Sequence, residues 1–298
     1  MRRALPHPSL FAGLAAMAAV WAAGVASLGE WSVHPSIPLG VAALLALYAL
    51  AIGPLRETRR LGPPVPFEQW LSFVTGALAI FVALTGPIHD LSDSYLFSAH
   101  MIQHLIITLL APPLLLIGTP GWLVRFLVRP APVHRIALFL GHPMTAFLAW
   151  NGTLLAWHLP VLYNATLVDL DVHIVEHLLF IATALMAWWP TLAPARELRA
   201  PMVFQLIYLL LLPIPMKVLG MMLTFSSSIL YPEYAIAPRI WGIPPAIDQQ
   251  IGGVIMWVPA GFVIWINLAA HFFRWYRERA RQDRGETNVV PLARERVT

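Results

Sequence analysis

The sequence predicts an all-α fold: a polytopic transmembrane helical bundle of about eight spans (seven if the first is cleaved), with both termini cytoplasmic. Three observations predict it. The 298-residue chain is 58% hydrophobic and only 11% charged, against about 25% charged in a soluble domain. Apolar runs of roughly 18 residues or more recur along its whole length, enough to cross a bilayer as helix. The linkers between those runs alternate in charge. Segments of about ten residues with strand alternation are missing, which excludes an outer-membrane barrel. With no cysteine, disulfides and thiolate metal sites are excluded too.

The spans fall at roughly 10–28, 37–53, 67–85, 95–117, 144–161, 172–190, 202–227 and 250–272, each boundary good to a few residues. The first follows Arg2 and Arg3 and is long for a signal peptide, so it reads as a retained helix. Within the linker 119–143, Trp122, Leu123, Phe126 and Leu127 alternate with Arg125 and Arg129 at helical spacing. That pattern predicts a short amphipathic helix at the inner interface. Pro213 and Pro215 loosen the seventh span. The segment 228–249 is rich in proline and aromatic residues and is expected to cap the outer mouth of the bundle. Residues 1–273 form the bundle, and 274–298 form a basic cytoplasmic tail that is partly disordered. No internal transporter-type repeat is evident.

Charge sets the orientation. All but Lys217 and Arg239 of the 19 lysines and arginines lie on one set of linkers, while Glu30, Asp90, Asp93, Asp169, Asp171, Glu233 and Asp248 lie on the other. By the positive-inside rule the basic set is cytoplasmic. The net charge of +4 therefore says nothing about nucleic acid, because the placement of the basic residues encodes topology; the expected contact is with membrane lipid, with no nucleic-acid partner.

The same orientation gathers polar residues at the outer end. The five-mer His100-Met101-Ile102-Gln103-His104 lies in the fourth span, and His173-Ile174-Val175-Glu176-His177 opens the sixth. Residues i and i+4 are neighbours on a helix face, so each pair offers two imidazoles to one ion, accompanied by Gln103 or Glu176. Buried ionisable groups in a bilayer are costly and need a partner or a function. A plain interhelical hydrogen-bond network would also satisfy them. His158 ends the fifth span near the same face. His34 and His89 read as solvated loop residues. Lys217, within the seventh span, needs a counter-charge, for which Glu176, Asp248 and Asp90 are candidates. Met216, Met221 and Met222 are candidate thioether ligands.

Imidazole and thioether donors without cysteine suit copper. Two alternatives stay open. Bis-histidine haem ligation is one, although pairs one turn apart suit a small ion better than stacked haems. The other is zinc hydrolysis, because HIVEH fits the His-x-x-Glu-His pattern with Glu176 as base.

Several blocks together carry a family resemblance: AHMIQHLIITLLAPPLLLIGTP, WHLPVLYNATLVDLDVHIVEHLLFIATALMAWWP, PMKVLGMMLTFSSSILYPEYA and DQQIGGVIMWVPAG. From about residue 65 to 273 the chain resembles the integral-membrane CtaG family, assembly factors for caa-type cytochrome c oxidase. The resemblance implies a bacterial plasma-membrane protein without turnover chemistry of its own. It would work on the copper centres of oxidase subunits, with copper chaperones as further partners. His100, His104, His158, His173, Glu176, His177, Lys217 and Asp248 match the polar motif positions of that family.

Overall fold

The computed structural model describes residues 33–284. Of these, 81% are helical and none is in a strand. The expected first span and the end of the basic tail lie outside the described residues. Among the described residues, five helices are long and apolar enough to cross a membrane: Ser36–Arg59, Phe97–Gly118, Leu170–Leu192, the Met202–Phe225 segment and Pro245–Asp283. A sixth candidate is the pair Phe67–Ala83 and Gly86–Ser94, bent by 42°. The segment expected as the fifth span is the 15-residue helix Pro143–Trp157, followed after a tight turn by Pro160–Val168. At 1.5 Å per residue it extends about 22 Å, short of the roughly 30 Å hydrocarbon layer. The last helix exceeds the expected 250–272 at both ends and carries part of the basic tail as helix.

Prolines break or bend the apolar helices. The seventh segment divides into Met202–Leu211 and Ile214–Phe225 at Pro213. In Phe97–Gly118, residues Ile106–Leu110 form a π turn just before Pro112 and Pro113. Pro112 has no N–H for the Thr108 carbonyl. Trp188 takes that role, its Nε1–H donating to Thr108 O at 3.0 Å. Trp188→Phe is therefore expected to cost about 1–2 kcal/mol, read as a lower thermal midpoint in detergent. An unchanged midpoint would mean the carbonyl has found another donor.

Phe97–Gly118 is the central helix. It packs against Phe67–Ala83, Leu170–Leu192 and Pro245–Asp283, and its apolar window is the most buried among the candidate spans. Small residues let neighbours close in. A Cβ on Gly253 would lie 2.6 Å from Thr224 N, so the backbones of Pro245–Asp283 and Ile214–Phe225 meet there. The linker 119–143 forms two short helices, Gly121–Leu127 and Ala131–Leu140. The first buries Leu123 and Val124. Its Arg125 hydrogen-bonds Glu197 at 2.6 Å and thereby holds that carboxyl below its ordinary range.

Candidate metal centre

The two five-mers face each other. Phe97–Gly118 and Leu170–Leu192 run side by side, and the first eight residues of each bring His100, His104, His173, Glu176 and His177 into one buried cluster. Asp248, also buried, fixes the start of the first helix. Its carboxylate accepts from Phe97 N at 2.7 Å, from Ser98 N at 3.1 Å and from Ser98 Oγ. That satisfies donors a helix N-terminus otherwise leaves orphaned and places negative charge at its positive end. Asp169 caps the second helix by accepting from Asp171 N and Val172 N. Both histidine pairs are thus carried close to capped helix starts.

Glu176 sits at the middle. His100 Nε2 and His104 Nε2 lie 4.0 and 3.9 Å from its Oε1, and His173 Nε2 lies 4.0 Å from its Oε2. His173 Nε2 and His177 Nε2 are 3.2 Å apart. Two nitrogen ligands of one tetrahedral ion at 2.0–2.1 Å would be separated by about 3.3 Å, so this last spacing already fits. The contacts near 4 Å require a small inward movement. Among the described residues, both oxygens of Glu176, His100 Nε2 and both ring nitrogens of His104 have no hydrogen-bond partner. Buried polar atoms without partners are rare, and here they converge.

Surrounding groups fix which nitrogens are bare. Tyr234 donates its single hydroxyl proton to Ser92 O at 2.6 Å. Its oxygen is therefore the acceptor for His100 Nδ1–H at 3.3 Å, which leaves His100 Nε2 unprotonated. Asp93 Oδ2 faces His173 Nδ1 at 3.4 Å, favouring the proton there and leaving Nε2 as the free donor. A carboxylate behind a ligating imidazole is a familiar support for metal binding.

The structure moves several sequence expectations. His89 is not a solvated loop residue: its Nε2 lies 3.4 Å from Asp93 Oδ2, and Gln103 Nε2 contacts its Nδ1 at 3.2 Å. Gln103 itself points away from Glu176, with Ala83 O at 3.0 Å and Ser92 Oγ on its Oε1. It supports His89 and Asp93 rather than joining the ligand cluster. Asp93 was not among the sequence candidates, although His89 and Asp93 share the i, i+4 spacing of the two histidine pairs. Lys217 stands elsewhere. Its ammonium lies 4.0 Å from the Trp265 ring centroid and its stem passes over Gly261, a cation–π seat. The Asp248 carboxylate is taken by the helix cap, and Glu176 lies within the histidine cluster, 3.9–4.0 Å from three imidazoles, so neither serves as the counter-charge. Met221 and Met222 are exposed on the bundle surface.

Below His104 is a cavity of about 20 Å³. His158 and Met216 line it, as do Met101 and Met256, which the sequence had not marked. Above the cluster, the segment 228–249 does cap this end. Its helix Pro232–Ile236 carries Tyr234, and Tyr231 stacks on Tyr163 with ring centroids 4.0 Å apart.

The chain is 24% identical over 240 residues to the uncharacterized protein ML1998 of Mycobacterium leprae, covering 75% of this chain and 36% of that one. It is likewise 24% identical over 247 residues to the uncharacterized protein Mb0105 of Mycobacterium bovis, covering 76% of this chain and 36% of that one. The chain thus spans about a third of the length of the curated relatives it matches. No solved structure matches it. Residues 46–278 match the Caa3_CtaG family, and on that match the chain belongs to the family of cytochrome c oxidase caa3 assembly factors.

Proposed function

We propose that the protein assists oxidase assembly by binding copper at the His/Glu cluster and handing it to an oxidase subunit, with no turnover chemistry of its own. The observation that carries this reading is the convergence of four imidazoles on a buried, unpartnered Glu176, with His100 and His173 held in the tautomer that presents a bare Nε2. Imidazole suits copper, zinc and iron, so the donor set narrows the ion without naming one. Copper is the cargo of this reading because the family assembles a haem–copper oxidase. Here His100, His104, His173, His177 and Glu176 hold the ion, and Asp93 with Tyr234 orients the rings.

The charge alternation of the linkers supports a plasma-membrane topology of eight spans with both termini inside. On that reading the cluster lies near the extracytoplasmic side. Soluble copper chaperones and oxidase subunits would then reach it from that side, and residues 274–298 would form the cytoplasmic tail. A haem reading has less support: the cavity beside the cluster is about 20 Å³, against roughly 300–1,000 Å³ for pockets that take organic ligands.

The test is metal content and visible spectrum of the purified protein, wild type and with His104→Ala or His177→Ala. Stoichiometric copper lost in both variants is the expected result, together with copper-deficient oxidase in cells carrying them. A Soret band would replace this reading by haem binding. Zinc with peptide cleavage would replace it by hydrolysis. No bound metal and normal oxidase in the variants would leave a hydrogen-bond network only.

A further inference from the structure

We infer that the cavity beneath the cluster is a second, softer ion site, built from His158 and the thioethers of Met101, Met216 and Met256, that takes a monovalent thiophilic cation such as Cu(I). The inference rests on the copper reading of the upper cluster and adds a separate site one helical turn deeper.

The cavity is about 20 Å³, room for one small particle. A water there would want two to four polar partners. The lining is mostly Met, Leu, Phe and Trp side chains, and the Thr108 hydroxyl has given its one proton to His104 O. What remains is imidazole nitrogen. His158 Nδ1 lies 2.8 Å from Leu154 O. A carbonyl can only accept, so the proton is on Nδ1 and Nε2 is bare. That Nε2 is buried and has no partner, and its residue lines the cavity. His104, likewise without partners on either nitrogen, borders both the cavity and the Glu176 cluster.

Donor chemistry and charge then choose the ion. Thioether and imidazole together suit Cu(I), and thioether is a poor ligand for hard divalent cations. No carboxylate lines the cavity, whereas Glu176 belongs to the cluster above it. Uncompensated charge is expensive in a low-dielectric interior, which favours one positive charge over two. Met101, Met216 and Met256 come from three different helices and are each nearly fully buried. Their convergence beside a bare imidazole distinguishes them from Met221 and Met222 on the surface.

The test uses Ag(I), a monovalent soft ion that does not change oxidation state under these conditions, on the purified full chain in detergent. Met216→Leu with Met256→Leu conserves volume and leaves the upper cluster untouched; thermal midpoints confirm folding. Wild type is expected to bind two equivalents of Ag(I), with sulfur in the X-ray absorption shell. The double variant is expected to bind one equivalent without sulfur. Equal stoichiometry in the two proteins, or no sulfur shell in wild type, overturns the inference. His177→Ala separates it from the copper reading. One sulfur-ligated equivalent in both wild type and His177→Ala would support the lower site, and stoichiometric copper lost in His177→Ala alone would support the upper one independently. No Ag(I) bound to wild type overturns the inference, while the copper content of the purified protein decides the upper cluster on its own.

Discussion

Asp248→Ala is expected to destabilise the protein by about 3–5 kcal/mol and to weaken metal binding with it. The buried carboxylate accepts from two backbone amides and one hydroxyl at the start of Phe97–Gly118. Deleting it leaves those donors without partners, at about 1–3 kcal/mol for each buried group, and removes the charge that complements the helix end. Some of that cost returns if the turn frays, and fraying would displace His100 and His104. Asp248→Asn keeps the shape and one acceptor, so it should fall between alanine and wild type. Reversible unfolding in mixed micelles measures the series. A loss below about 1 kcal/mol for alanine would be inconsistent with a buried cap.

Glu176→Leu is expected to have the opposite signature: greater stability without metal, and lost function. Both carboxylate oxygens are buried without hydrogen-bond partners. Replacing such a group by an apolar side chain should stabilise the metal-free protein by about 1–3 kcal/mol. The same change removes the anion that compensates a bound cation, and copper affinity should fall at least about 100-fold, since even supporting residues around a metal contribute 10- to 100-fold. The paired readout separates a binding centre from a structural one. If Glu176 were the hub of a hydrogen-bond network that ties the helices together, Glu176→Leu would lower the thermal midpoint instead.

The helices were legible because hydropathy is a local property. The expected 172–190 and 202–227 became Leu170–Leu192 and a Pro213-broken Met202–Phe225. Spacing also marked the histidine pairs. Sequence does not encode how far each helix is rotated about its own axis relative to its neighbours. That rotation turned Gln103 toward His89 and Lys217 toward Trp265, and it brought Met101 and Met256 to the lower cavity. Asp93 was hidden for a related reason. Besides the adjacent Ser92 hydroxyl, its partners are His89 on its own short helix and His173 some eighty residues away, and the 42° bend between Phe67–Ala83 and Gly86–Ser94 precedes it.

The locked tautomers of His100 and His173 have an electrical consequence. A cation that binds their bare Nε2 atoms displaces no proton from either ring, so any charge not balanced by a proton leaving Glu176 or His177 is carried part-way into the membrane. Crossing the whole membrane corresponds to about 2.3 kcal/mol per charge per 100 mV, and the ion traverses a fraction of that. With the cluster facing outward as proposed, an inside-negative potential draws the cation in and opposes its return. Respiration would then tighten the hold on incoming copper, and delivery to a subunit would have to work against the same field.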